Sequence, residues 1–228
     1  NEQASGLLRI NTPVAFGRLY LRPLLKNFHK RYPKITLEIS YDDKYVDIID
    51  NQIDLCIRTG TISDSRLVAR QLSPIDSLIC ASPTYLKKNP PPKTAKEFSQ
   101  HPWIRFRYAQ TNRLMSVMMP SRQGTIDYDP DNSFVVDDGQ ALAELCADGF
   151  GLAQMPHFIA RDWLKKKAIV PIFPAYSEKK FGVYMLYPKR NYLPTKVRVF
   201  IEYLTECMEA AGELPNRTWA RDLKPWSN

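Results

Sequence analysis

Residues 6–60 decide the fold. Gly6-Leu7-Leu8-Arg9-Ile10-Asn11-Thr12-Pro13 opens them, and Leu21-Arg22-Pro23-Leu24-Leu25-Lys26-Asn27-Phe28-His29-Lys30-Arg31-Tyr32-Pro33 follows. Then come Thr36-Leu37-Glu38-Ile39-Ser40, Val46-Asp47-Ile48-Ile49 and Asp54-Leu55-Cys56-Ile57-Arg58-Thr59-Gly60. The order reads strand, helix, strand, short helix, strand. The first and last strands both end in small polar residues, and in an open α/β sheet such strand ends are where ligands bind.

The helix signals are local. Thr12 offers a capping hydroxyl and Pro13 suits a first helical position. Leu21, Leu24, Leu25, Phe28 and Tyr32 then recur on one helical face. Pro23 lies inside that run and predicts a bend, and Pro33 ends it. Farther on, Leu67 to Leu72 and Asp76 to Ala81 read as extended. Ser82-Pro83 repeats the cap-and-proline device, and Thr94 with Glu97 reads as a capping box.

Beyond the proline-rich loop at Asn89-Pro90-Pro91-Pro92, Trp103 to Arg107 is a predicted strand, followed by a less regular stretch to about Asn132. Phe134 to Val136 is extended, Asp138 caps a helix ended by Gly149, and Gly151 to Met155 is a short strand. Pro156 is then expected at the first position of the next helix. Ile169 to Phe173 and Phe181 to Tyr187 read as strands. A last helix from Pro194-Thr195 to Gly212 buries Val197, Phe200, Ile201, Leu204 and Met208. Helix starts near Thr12, Ser82, Asp138 and Met155 expose unpaired N–H groups, and together they predict a mouth that favours anions.

Composition narrows the class. The 228 residues are 44% hydrophobic and 25% charged, values of an ordinary globular chain long enough for one large or two small domains. No apolar run approaches ~18 residues, so no membrane span is expected. No charged-then-apolar leader is visible, and a chain opening at Asn1 reads as a piece cut from a longer one. Lysine and arginine total 32 against 24 acidic residues, for a net charge of +8. A basic balance can mean nucleic acid or an anionic ligand. The positive charges are scattered, with Lys165-Lys166-Lys167 as a short run, so a solvated basic face is the plain reading and this piece is not expected to be the DNA-reading part itself. Cys56, Cys80, Cys146 and Cys207 are widely spaced without a CxxC pair, as reduced core thiols would be. His29, His101 and His157 lack metal-ligand spacing, and no G-x-S-x-G, P-loop or HExxH occurs. Neither catalysis, a metal nor a cofactor is expected.

The LRI-x-TP opening, the LxPLLxxFxxRYP helix, VDIIDNQIDLCIRTG, SRLVARQL, SLICASPTYL, HPWIRF and ALAELCADGFGLAQMP occur in one order. In that order the chain resembles the effector-binding domain of LysR-type transcriptional regulators over Gly6 to Gly212, and within them the CrgA-like branch. The resemblance implies an α/β fold like type II periplasmic binding proteins, with two Rossmann-like subdomains joined by two crossover strands. Residues 6–80 plus 184–211 would form subdomain I and 81–183 subdomain II, leaving 213–228 as a C-terminal tail. The DNA-binding winged helix-turn-helix would precede Asn1. A small-molecule effector would bind in the inter-subdomain cleft and modulate DNA binding by a cytoplasmic full-length protein. Homodimers, and tetramers of full-length chains, are the assemblies it implies, with no membrane partner.

Carried over residue by residue, the resemblance nominates Asn11, Thr12, Pro13 and Phe16 at the first strand's end for the effector. Arg58, Thr59 and Gly60 follow at the third, then Ser82, then Arg105 and Phe106. Asp137, Asp138 and Gly139, with Gln154, Met155 and Pro156, complete the set. A dimer interface would use Leu21, Leu25, Phe28, Tyr32, Leu37 and Ile39. Bland readings stand beside these: Thr12 and Ser82 as plain helix caps, Arg58 paired with Asp54, and Phe16, Phe106 and Met155 as core. Asp137 and Asp138 would repel an anion and favour a neutral or aminated effector. A periplasmic solute-binding protein of similar fold is the alternative reading.

Overall fold

A computed structural model describes residues 4–44, 46–60, 66–93, 95–121, 124–173, 176–189 and 192–210. The chain divides into two units. Unit 1 runs to Ile75 and resumes at Glu178, and unit 2 covers Asp76–Ser177. Both changeovers fall inside strands, a few residues before the 80/81 and 183/184 boundaries expected from sequence.

Unit 1 begins with β1 (Gly6–Thr12), then α1 (Val14–Phe16), a π-helical turn (Gly17–Leu21) and α2 (Arg22–Arg31). The widened turn has a local cause. Proline lacks an amide hydrogen and its ring crowds the carbonyl four residues back, so Pro23 fits at the start of a helical segment and not within one. The chain therefore opens its helical register just before α2, where sequence alone predicts a bend. β2 (Ile35–Tyr41), β3 (Leu55–Gly60), β4 (Leu67–Ala81), β11 (Tyr176–Pro188) and α7 (Thr195–Ala210) follow, with unit 2 inserted between β4 and β11.

The sheet of unit 1 is ordered β2-β1-β3-β11. β1 is parallel to β2 from Gly6↔Ile35 to Thr12↔Tyr41, and parallel to β3 at Asn11↔Cys56. β11 returns antiparallel, with Gly182 opposite Gly60. Thr12, Tyr41 and Gly60 therefore end on one edge. The segment expected as a short helix from Val46 to Asn51 is a set of turns, because Asp47 accepts from the amides of Ile49 and Asp50 at 2.9 and 3.1 Å and holds the chain in a tight bend.

Helix packing explains the amphipathic faces. Phe28 has no exposed surface and meets Phe200 edge-on at 4.9 Å and Tyr203 at 5.2 Å, which locks α2 to α7. All five α7 residues expected inside are buried. Of the interface residues nominated from sequence, Leu21 and Phe28 belong to this core, while Leu25, Tyr32, Leu37 and Ile39 are half-buried.

In unit 2, β4 enters at Asp76 and leads to α3 (Pro83–Lys88), α4 (Ala95–Phe98) and β5 (Trp103–Phe106). The stretch read as irregular holds a hairpin, β6 (Val117–Ser121) with β7 (Gly124–Tyr128), before β8 (Asn132–Val136). α5 (Gly139–Ala147), β9 (Leu152–Pro156), α6 (His157–Lys165) and β10 (Val170–Pro171) complete it. β9, β5 and β8 run parallel, and β4 lies antiparallel beside β9 with Cys80 opposite Ala153. The core gathers Phe98, Trp103, Met119 and Phe173. Thr94 of the expected capping box lies outside the described residues, but Glu97 accepts from the Lys93 amide at 2.7 Å.

Gly151 answers a spatial demand. A Cβ there would stand 2.2 Å from the Pro102 carbonyl oxygen, and its φ of +152° suits glycine alone. Emptying the α2–α7 contact gives a clean test of the unit 1 core. Phe28→Ala should cost about 3–5 kcal/mol and lower the unfolding midpoint of unit 1 by roughly 6–20 °C in a calorimetric scan.

Candidate functional site

In unit 1 the nominated residues converge on the edge where β1, β2 and β3 end. Asn11 and Thr12 are 1% and 0% exposed, unusual burial for polar side chains at a strand end. Asn11 donates through Nδ2 to the Ser40 hydroxyl at 2.7 Å, which ties β1 to β2 by side chains as well as backbone. The Thr12 hydroxyl lies 3.4 Å from the Pro13 carbonyl oxygen and caps no helix. That duty falls to Asp43, whose Oδ1 accepts from the Val14 amide at 3.1 Å. Sequence proximity favours Thr12 as the cap, but the loop after β2 brings a carboxylate to the same amide.

Gly17 sits against this edge. A Cβ there would come within 2.6 Å of both Thr12 Cγ2 and Tyr41 Cε1, so only glycine lets the helical segment press on the two strand ends. Phe16 is fully buried and stacks on Tyr20 with ring centroids 5.4 Å apart. β3 runs on past the end of β1, carrying Arg58, Thr59 and Gly60. Arg58 donates to the carbonyl oxygens of Ile57 at 2.8 Å and Lys44 at 3.3 Å. It does not pair with Asp54. That carboxylate accepts from Lys196 Nζ at 2.7 Å and from the Arg9 amide at 3.0 Å, at the other end of β3.

Unit 2 assembles its own edge from the ends of β9, β5 and β8. Phe106, Asp137, Asp138, Gly139, Met155 and Pro156 fall there. Ser82 does not. Because β4 runs antiparallel to β9, its end at Ala81 lies beside the start of β9, and Ser82 occupies the opposite edge. There its hydroxyl caps α3, accepting from the Tyr85 amide at 3.1 Å. Asp138 caps α5 as expected, with Oδ1 taking the Gln140 and Ala141 amides at 2.8 Å each. Pro156 stands just outside α6 as its cap residue instead of inside its first turn.

Two nominated polar residues are committed within unit 2. Arg105, 2% exposed, donates to Asp129 at 2.8 Å and to the carbonyls of Pro130 and Met115 at 2.9 Å each. Gln154 turns its amide onto β6, accepting from the Met118 N–H at 2.8 Å and donating to the Met118 carbonyl at 3.0 Å. Its side chain thus serves as one more rung of backbone for the hairpin. Phe106 packs edge-on against Tyr108 at 5.5 Å, and Met155 is fully buried.

The electrostatics revise the anion-friendly mouth. Of the four helix starts expected there, Asp43 meets the one beside Thr12 and Asp138 the one beside Gly139, the Ser82 hydroxyl caps a third, and the start of α6 after Pro156 carries no side-chain cap. The buried thiols offer no nucleophile. Burial pushes the Cys56 thiol up to about 11 and Cys146 up to about 12, and raises Cys80 far above its ordinary value. Among the described residues, no group of three or more His, Cys, Asp or Glu side chains is gathered to hold a metal.

His157, which no pattern in the sequence marks as special, begins α6 directly after the Pro156 edge. Burial, reinforced by Arg161 and Lys165, depresses its pKa to about 4. The unfolded chain therefore takes up a proton near pH 6.5 that the folded one refuses until near pH 4, so stability falls as pH drops through that window. Urea unfolding of the chain between pH 7 and pH 4 should show this loss, and His157→Gln should flatten the slope.

Residues 1–209 match the LysR substrate binding domain. An HTH-type transcriptional regulator of Haemophilus influenzae is 31% identical over 194 residues, covering 84% of this chain. The chain spans 66% of that relative's length. The HTH-type transcriptional regulator CrgA of Neisseria meningitidis is 28% identical over 207 residues, 90% of this chain and 68% of CrgA. The solved structure of CrgA, a LysR-type transcriptional regulator, superposes with a TM-score of 0.80 at 25% identity over 91% of this chain and 70% of that one. The fold is therefore that of LysR regulatory domains, like periplasmic binding proteins, and the chain belongs to the LysR substrate-binding domain family.

Proposed function

We propose that this chain is the sensing module of a cytoplasmic, non-enzymatic transcriptional regulator, and that a small effector bound by its strand-end residues biases how the whole protein engages DNA. The observation that carries this reading is the burial of Asn11 and Thr12 at the end of β1, beside the ends of β2 and β3. Family membership and regulator relatives support it. Thr12, Thr59 and Gly60 in unit 1, with Phe106, Met155 and Pro156 in unit 2, are the proposed effector contacts. Arg105 and Gln154 act behind them by holding Met115, Met118, Asp129 and Pro130 in place. The carboxylates of Asp43 and Asp138 on the helix starts favour an uncharged or aminated effector. To regulate, the effector must bind one conformational state better than another.

Thermal unfolding against a panel of neutral aromatics, quinones and amines tests this. A true effector at 100 times its Kd adds about 2.7 kcal/mol, raising the midpoint by roughly 5–11 °C. Thr59→Ala, at an exposed position, and Thr12→Val should each diminish that rise. A ligand whose effect ignores both substitutions refutes the assignment.

We further propose that the chain dimerises through α2 and β2, with Leu25, Tyr32, Leu37 and Ile39 at the contact. β2 is the outer strand in the described order of the unit 1 sheet, and such an edge is a template for pairing unless covered. Sedimentation should show a dimer that Ile39→Glu shifts toward monomer while the circular dichroism stays that of the parent.

A further inference from the structure

The chain does not leave the sheet of unit 2 at the last residue of β5. The Arg107 amide donates to the Val136 carbonyl at 2.7 Å, and a loop from Tyr108 to Arg113 follows, closed by an antiparallel bridge between Arg107 and Leu114. The loop is fastened by its own bonds. The Tyr108 amide donates to the Arg113 carbonyl, the Asn112 amide to Tyr108, and the Arg107 guanidinium to the Asn112 carbonyl, all at 2.9 Å. It thus stands just beyond the strand end that carries Phe106.

Alternation along β5 sorts its side chains between two faces. Trp103 packs with Val117 and Met119 of the hairpin, and Arg105 reaches Met115 and Asp129, so this pair faces the hairpin. Ile104 and Phe106 take the other face, and the Tyr108 ring joins Phe106 there edge-on at 5.5 Å. α5 packs on β5, and its buried Leu142, Ala143 and Cys146 take no part in the hairpin cluster, so it covers this second face.

Two polar groups at that corner are unanswered. Tyr108 is half-buried, and burial raises its pKa and keeps the phenol protonated. Its hydroxyl has no hydrogen-bond partner among the described residues. Gln140, in the first turn of α5, buries its side-chain amide nitrogen, likewise without a partner. Gln154 on β9, by contrast, spends its amide on Met118. A buried donor with its bond unmade costs more than a made bond contributes, so one kept in that state invites a ligand acceptor.

We propose that Tyr108 and Gln140 are two further effector contacts, and that the effector presents a carbonyl oxygen to them while an apolar ring lies on Phe106. The proposal rests on the effector reading above and narrows it. An ammonium offers the Gln140 amide no acceptor, so neutral carbonyl compounds bind more tightly than amines.

The test is a titration of the isotope-labelled chain with benzamide and with benzylamine, followed through backbone amide resonances. The two share a ring and differ in carrying a carbonyl or an ammonium. Benzamide is expected to give saturable shifts at Phe106, Tyr108 and Gln140, and benzylamine to bind several-fold more weakly. Tyr108→Phe and Gln140→Leu should each weaken benzamide several-fold. The unfolding midpoint of Gln140→Leu should stay level or rise, where a purely structural glutamine would lower it. Benzylamine binding as tightly as benzamide overturns the proposal, as does a benzamide affinity unchanged in either variant. Saturable shifts confined to Thr12 and Thr59 overturn it and leave the effector reading standing. No saturable shift at either set by about 10 mM, beyond the millimolar affinity expected of so small a ligand, overturns both.

Discussion

One half-buried carboxylate holds unit 1 together. Asp54 takes the backbone N–H of Arg9 on β1 and the ammonium of Lys196 on α7, while Lys196 reaches on to the Leu7 carbonyl. The Asp54 and Lys196 side chains are 14% and 22% exposed, so the pair works where water screens it less than at an open surface. It joins two parallel strands and the helix that covers them at the edge away from Thr12. The far ends of β1 and β3 are thereby aligned by construction, and the strand-end residues proposed for the effector in unit 1 stand on a fixed frame.

The same logic of committed polar groups runs through unit 2. Arg105 and Gln154 are buried, polar and near strand ends, which makes them look like ligand contacts. Their partners are instead main-chain groups of the 115–130 segment, with Asp129 in addition for Arg105. Buried hydrogen-bonding groups left without partners cost more than they contribute when paired, so both side chains are structural anchors first. What remains at that edge is mostly apolar or exposed: Phe106, Pro156 and the Asp137 carboxylate. The uncharged or aminated effector proposed here follows from that subtraction.

Much of this was legible in the residues. Caps acting within three positions, Ser82 on Tyr85 and Asp138 on Gln140 and Ala141, follow from local chemistry and fall where the sequence marks them. The failures are of longer range. Thr12 loses its capping role to Asp43, 29 positions beyond the amide that Asp43 holds. Ser82 shares a residue pattern with the site but not an edge, because strand direction is invisible in a single strand's sequence. The β6–β7 hairpin escapes because Pro120 interrupts its first strand, although Thr125-Ile126-Asp127-Tyr128 carries the alternation that marks its second. Gln154 is conspicuous in an apolar strand, yet its partner Met118 lies 36 positions away.

Unit 1 is discontinuous, and this orders events at the ribosome. Residues 76–177 emerge as one uninterrupted run, so unit 2 has all its strands while β11 and α7 are still unmade. β1, β2 and β3 must wait through that interval without Lys196 or the Phe200 and Tyr203 rings that cover Phe28. The apolar face of α2 is therefore left uncovered through that interval, and newly made chains are open to chaperones and proteases there.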